Sequence, residues 1–149
     1  MRVLDKMKIE YACHTYQPDS SMTGVQIAAL LGEPAEYVFK TLVTKGKSGR
    51  NYVFVIPVAS ELDLKKAAKA VGEKAVEMIH QKELLPLTGY IHGGCSPIGM
   101  KKAFPTLIHH TAAEMDRMFV SAGKVGVQIE LNVADLRRVV RAEYTDLTE

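Results

Sequence analysis

The sequence predicts an α+β fold with a mixed, curved sheet, and three observations lead there. Short β-type runs outnumber helical ones, strands and helices do not alternate strictly as a doubly wound fold requires, and two extended runs flank a lysine- and glycine-rich turn at 45–50. The 149 residues contain no Pro/Ser-rich or charge-block linker, so one domain is expected. A hydrophobic content of 47% with 24% charged residues is that of an ordinary globular chain.

Residues 2–8 read as a short helix and Tyr11 to Tyr16 as a strand. Thr23 precedes Gln26 by three residues, a capping pattern for the helix through Ile27 and Leu31 that stops at Gly32. Pro34 suits a short helical turn before the strand VFKTLVT at 38–44, which pairs with NYVFVIPVA as a hairpin. Asp63 caps LKKAAKAVG, whose Leu64, Ala67, Ala68 and Val71 form one apolar stripe. After Val76 to Met78 a short helix at 81–85 is expected to end at Pro86. Three β-like runs follow, at Thr106 to His110, Met118 to Ser121 and Val125 to Leu131. Asn132 caps the helix VADLRRVV, and Ala142 to Tyr144 closes the sheet.

The longest apolar runs, such as YVFVIPVA, are strand-length and contain a proline, so none can span a bilayer. Asp5, Lys6, Lys8 and Glu10 interrupt the N-terminal stretch and argue against a secretory segment, so a cytoplasmic protein is expected. Cys13 and Cys95 lack CxxC spacing and read as free thiols. His14, His80, His92, His109 and His110 show no HExxH or paired His/Cys pattern, so no metal or other cofactor is expected. A net charge of +2 is too mild to imply nucleic-acid binding by itself. The clusters Lys65/Lys66/Lys69, Lys101/Lys102 and Arg137/Arg138/Arg141 are either solvated faces or parts of a phosphate-contacting rim.

The stretch from Thr88 to Gly99 places four glycines and Pro97 in twelve residues. Gly93 and Gly94 open backbone angles closed to other residues and let main-chain N–H groups approach a ligand, while Pro97 biases Ser96 toward an extended conformation. A tight turn and a ligand loop both fit such a run. Strand alternation puts Lys40 on one face with Val38, Leu42 and Thr44. That lysine either snorkels from a sheet edge or aims a fixed cation into a cleft, where scarce water strengthens it.

The strings CHTY, VFKTL, LDLKKAAKA, GGCSPIGMKK and GVQIEL, in that order over nearly the whole chain, resemble the YbaK/EbsC family. The resemblance implies a free-standing Cys-tRNA(Pro) deacylase, akin to the editing insertion domain of prolyl-tRNA synthetase, with a barrel-like mixed sheet and flanking helices. It places the family's essential lysine on Lys40, its Gly-x-x-x-Pro motif on Gly93, Gly94, Cys95, Ser96 and Pro97, and a pocket tyrosine on Tyr16. The chain departs from the family pattern twice. Gln128 stands where an acidic residue is found before the IEL string, and Met22 and Thr23 stand where an aromatic occupies the loop before the second helix. Gln128 hydrogen-bonds a polar group but supplies no negative charge.

The implied reaction is substrate-assisted: the cysteinyl thiol attacks its own ester carbonyl while the tRNA oxygen departs. Backbone N–H groups of Gly94, Cys95 and Ser96 would stabilise the oxyanion, and Lys40 would hold the terminal adenosine or the leaving oxygen. Cys95 as a nucleophile beside His92 is the rival arrangement. The implied partners are the acceptor end of a mischarged tRNA and prolyl-tRNA synthetase, which would read the tRNA body. Two other readings are a deacylase for Ala-tRNA(Pro) and a non-catalytic tRNA- or synthetase-binding module.

Overall fold

A computed structural model describes residues 1–18 and 22–149. The first half comprises α1 (Arg2–Lys6), β1 (Tyr11–Thr15), α2 (Gly24–Leu31), β2 (Phe39–Gly46), β3 (Asn51–Pro57), α3 (Leu64–Val71) and β4 (Val76–Met78). The second comprises α4 (Gln81–Thr88), β5 (Thr106–His109), β6 (Arg117–Ser121), β7 (Val127–Asn132), α5 (Val133–Val140) and β8 (Glu143–Thr145). 3₁₀ turns lie at Ala35–Tyr37 and His110–Glu114.

The larger sheet runs β4-β2-β3-β5-β8 and the smaller β1-β7-β6. β2 pairs antiparallel with β3 and β4, whereas β3–β5 and β5–β8 are parallel, so the larger sheet is mixed as the sequence predicts. The strands form two sheets that do not close into a barrel. They touch through one parallel bridge, Val38↔Phe119, and otherwise through side chains. Each sheet buries the other's inner face, which removes the need for a closing ladder. Periodicity reveals which face a strand buries but not which strand lies beside it.

The hairpin organises this packing. Its register, from Phe39↔Pro57 to Lys45↔Asn51, puts Phe39, Val43, Val53 and Val55 on one face and Leu42, Phe54 and Ile56 on the other. The first set joins Met118, Val120, Ile129 and Leu131 of the smaller sheet in the principal core. The second packs on Ala67 and Ala68 of α3 and on Leu147. Burying each large apolar side chain contributes about 1.5–3 kcal/mol, so a strand buried on both faces anchors the molecule.

Helix ends follow the predicted caps. Thr23 and Gln26 form a reciprocal capping box, the Asp63 carboxylate accepts from the N–H groups of Lys65 and Lys66, and Asn132 accepts from Asp135 N–H. The apolar stripe of α3 is narrower than expected, because Leu64 is exposed. One expectation fails for an identifiable reason. α4 does not stop at Pro86 but continues to Thr88. The hydroxyl of Thr88 donates to the Leu84 carbonyl at 2.7 Å and Gly89 N–H to the Leu85 carbonyl at 2.9 Å, which closes the turn past the proline. β4 is only three residues long, with Glu77 and Met78 exposed.

The basic clusters are partly structural. Lys66 donates to Asp146 at 2.9 Å and to the Thr148 carbonyl at 2.7 Å, stitching the C-terminal residues onto α3. Arg137 donates to the Ala142 carbonyl and lies over the Tyr144 ring, and Arg138 pairs with Asp135. These three side chains are therefore engaged within the fold, which weakens the phosphate-rim reading.

His109, buried on β5, uses Nδ1 to accept the Leu147 N–H at 3.1 Å, an arrangement that requires a neutral ring. Burial, reinforced by the neighbouring His110, holds its pKa below the ordinary histidine value, with Asp146 opposing. A depressed histidine value means that protonation favours the unfolded chain. His109's contribution to stability is therefore complete above about pH 6.5 and is lost as pH falls through its lower folded value. Urea midpoints measured across this range are expected to fall on acidification, and His109→Asn is expected to lose that part of the dependence.

Candidate active site

β4 covers β2 only from Thr44 to Gly46, so among the described residues no strand pairs with Phe39 to Leu42 on that side. A cavity of about 390 Å³ opens along this edge. Because it wraps around a strand edge, it receives side chains from both faces of β2: Lys40 and Leu42 from one, Phe39, Thr41 and Val43 from the other. Ile27 of α2, Leu84 of α4, and Ser121 and Gln128 of the smaller sheet complete the walls. Exposed His80, His92 and Gly93 contribute at the more open side. The volume suits a small ligand or the end of a large one.

The glycine loop is built on Thr88. Its buried hydroxyl closes α4 and accepts the Tyr90 N–H at 3.0 Å, while Lys101 N–H returns to the Thr88 carbonyl at 3.1 Å and closes the loop at its base. The Tyr90 hydroxyl donates to the Ile98 carbonyl. Gly93 holds φ +86°, and a Cβ on Gly94 would sit 3.0 Å from Val125 N and 3.1 Å from Lys124 C. Gly94 is thus required by close backbone approach and Gly93 by conformation.

Lys40 stands opposite Ile56 in the hairpin, at the end of the face whose other members pack on α3. Its ammonium lies 3.9 Å from the carboxylate of Glu61, which is 78% exposed, and its own side chain is 30% exposed. Such a pair, open to water, contributes little to stability. The cation is available to a ligand.

The predicted residues separate into three groups. Lys40, Gly93, Cys95, Met22 and Gln128 all line the cavity. Gly94, Ser96 and Pro97 are buried behind its wall, where the Ser96 hydroxyl accepts Ile98 N–H at 3.2 Å. Gly94 N–H donates to the Ile91 carbonyl at 3.0 Å and Ser96 is fully buried, so the expected oxyanion donors reduce to the N–H of Cys95. Tyr16 and Thr23 lie outside the cavity. Tyr16 borders a neighbouring groove with Thr15, Pro18, Met22 and Leu30, and both the hydroxyl and the N–H of Thr23 are engaged in its capping box. Thr41, Ser121, His80 and Leu84 were not singled out by sequence as site residues. Thr41 sits one position from Lys40 and was legible only as the opposite face of a strand.

Comparison with known proteins bears on this arrangement. The family described as the aminoacyl-tRNA editing domain matches residues 18–139. The chain belongs to that family. A protein of Enterococcus faecalis that carries the name Cys-tRNA(Pro)/Cys-tRNA(Cys) deacylase EbsC is 43% identical over 99% of this chain and 91% of its own length. The proline–tRNA ligase of Thermosipho africanus is 28% identical over 82% of this chain, which corresponds to 21% of the ligase. Among solved structures, one described as a trans-editing enzyme for prolyl-tRNA synthetase superimposes with a TM-score of 0.85 at 23% identity, covering 99% of this chain and 93% of its own. Another, the hypothetical protein APE2540, gives 0.90 at 21% identity over 99% and 97%. These two likenesses concern the fold.

In this editing domain, burial pushes the Cys95 thiol up to about 11, against a smaller opposing effect of the Thr88 hydroxyl. Cys95 is then a thiol at neutral pH, whereas a cysteine nucleophile acts as the thiolate. Among the described residues one histidine–carboxylate grouping, His109, His110 and Asp146, brings donor atoms within 4.8 Å. His109 Nδ1 accepts a backbone N–H, which fixes the proton on Nε2, and Asp146 is paired with Lys66, so the grouping already has protein partners. Alkylation at neutral pH is expected to modify the exposed Cys13 rapidly and Cys95 more slowly, as peptide mass spectrometry would resolve.

Proposed function

We propose that this editing domain is a trans-acting deacylase that clears cysteine from mischarged Cys-tRNA(Pro). The observation that carries this reading is the pairing, around one cavity, of the Lys40 ammonium with the Gly93–Cys95 wall, where the thiol is held protonated. Such a site positions and polarises an ester but offers no activated protein thiol. A substrate that brings its own nucleophile needs only to be oriented, and effective molarities of about 10⁵ M or more are within reach of intramolecular attack.

In the proposed reaction the cysteinyl sulfur bonds to the ester carbonyl carbon and loses its proton. The C–O bond to the terminal ribose breaks, and the departing oxygen takes up a proton. The product is a cyclic thioester that water opens to free cysteine. The Cys95 N–H would receive charge on the carbonyl oxygen, and Lys40 would hold the 3′-terminal nucleotide or assist the departing oxygen. The biological need is general, since one binding step separates similar small side chains by only about 1–3 kcal/mol.

The cavity takes the acceptor end alone. A net charge of +2, with Lys66, Arg137 and Arg138 engaged in the fold, leaves little to grip a tRNA body. We therefore assign reading of that body to a partner, prolyl-tRNA synthetase. The relationship of this chain to a segment of a proline–tRNA ligase supports the assignment.

Lys40→Ala is expected to lower the deacylation rate of Cys-tRNA(Pro) at least about a hundredfold with an unchanged circular-dichroism spectrum. Wild-type turnover in that variant would remove Lys40 from the chemistry. Cys95→Ala is expected to stay within a few-fold of wild type, with no covalent adduct on Cys95 by mass spectrometry. A side-by-side panel of Cys-, Ala-, Ser- and Pro-tRNA(Pro) is expected to show release of cysteine above all others. Equal release of alanine would transfer the activity to Ala-tRNA(Pro), and binding without any release would make the protein a recognition module.

A further inference from the structure

A net charge of +2 is small, but the cations that the fold does not use are gathered in one place. The turn of the β2–β3 hairpin, KGKSGR at 45–50, carries Lys45, Lys47 and Arg50, all exposed. The connection from α3 to β4 brings a fourth exposed cation, Lys74, to the same end of the larger sheet. The two turns are tied together. Lys47 N–H donates to the Ala75 carbonyl at 3.0 Å, and the Glu73 carboxylate accepts the Ser48 N–H at 3.1 Å, the Tyr52 hydroxyl at 2.6 Å and the Ser48 hydroxyl. A Cβ on Gly46 would lie 2.4 Å from the Glu73 carboxyl carbon, so this glycine is what lets the carboxylate seat against the hairpin.

Two acids share the region. Glu73 is spent on those hydrogen bonds, and Glu77 stands opposite Lys45 in the β2–β4 ladder. Lys47, Arg50 and Lys74 make no side-chain ion pair among the described residues. Like charges held on one rigid ridge repel one another, and their complement is a surface of regularly spaced negative charge.

Position identifies that surface. Lys40 and Gly46 lie on the same strand, so the ridge stands about 20 Å along β2 from the cation of the cavity. β4 bridges the interval: Val76 pairs with Gly46 beside the ridge, and Met78 and His80 line the cavity at its nearer side. An acceptor end seated in the cavity is single-stranded, and the duplex behind it passes over the protein surface around the mouth. The phosphates of that duplex are regularly spaced anions, which long lysine and arginine side chains contact without reading sequence.

We infer that Lys47, Arg50 and Lys74 form a second contact with the tRNA, on the phosphate backbone of the duplex next to its acceptor end. The inference rests on the deacylase reading above only in seating an acceptor end in the cavity. The contact is indifferent to sequence, so reading of the tRNA body stays with the partner. What the ridge adds is a measure of distance, favouring ends that are attached to a duplex over short single strands.

The test measures equilibrium binding by fluorescence anisotropy with three uncharged RNAs: a minihelix of the tRNA(Pro) acceptor stem with its CCA end, a minihelix of unrelated stem sequence with the same end, and the single-stranded end alone. The triple variant Lys47→Ala/Arg50→Ala/Lys74→Ala is expected to bind both minihelices at least about tenfold more weakly at low salt, with the slope of log K against log salt shallower by about two to three. The single-stranded end is expected to be bound equally by both proteins or by neither, and the variant to melt with the wild type. Unchanged minihelix affinity and slope, an equal loss on the single-stranded end, a loss confined to one stem sequence, or a wild type that binds neither minihelix overturns the assignment. Unchanged RNA binding with lost co-sedimentation of prolyl-tRNA synthetase makes the ridge a protein-binding face and overturns it as well. Ridge-dependent minihelix binding by a wild type that releases no cysteine from Cys-tRNA(Pro) leaves this contact standing and overturns the deacylase reading.

Discussion

The unpaired edge of β2 is the constraint on which the rest of the site depends. A full-length neighbour would satisfy that edge and leave no cavity. β4 instead stops after pairing with Thr44 to Gly46, and α4 and the loop after it occupy the adjoining space. A strand edge presents free main-chain groups and side chains of both faces within a few ångströms. One strand can therefore line the same space with residues of opposite faces, Lys40 and Thr41. The hairpin with β3, buried on both faces, holds that edge rigid.

The distribution of charge follows the same division. Lys40 sits where water reaches it and its partner Glu61 is exposed, so an incoming anionic or polar group meets a cation that is not locked in a buried pair. Deeper in, the Cys95 thiol is kept protonated by burial. A site of this kind orients and polarises its ligand and leaves the nucleophile to the ligand or to water.

Much of this was legible in the sequence, for physical reasons that differ by element. Thr23, Asp63 and Asn132 announce helix starts because capping is local chemistry between residues two or three apart. The β2–β3 hairpin was legible from alternation and a turn, and Lys40 from its mismatch with an apolar face. The two-sheet arrangement was hidden because which strands lie side by side is set by tertiary packing. Resemblance supplied Gly93 to Pro97 as a motif, but only coordinates distinguish the Gly93 and Cys95 that face the cavity from the Gly94, Ser96 and Pro97 that support it.

The close approach of Gly94 to the backbone of Lys124 and Val125 joins two segments that are thirty residues apart in the chain. The turn between β6 and β7 looks like an ordinary surface connection, the kind that tolerates inserted residues. Here it is the back wall of the glycine loop. Variation in its length would be transmitted to the wall of the cavity without altering any residue that lines it, so natural diversification of this scaffold is expected to keep that turn's length fixed.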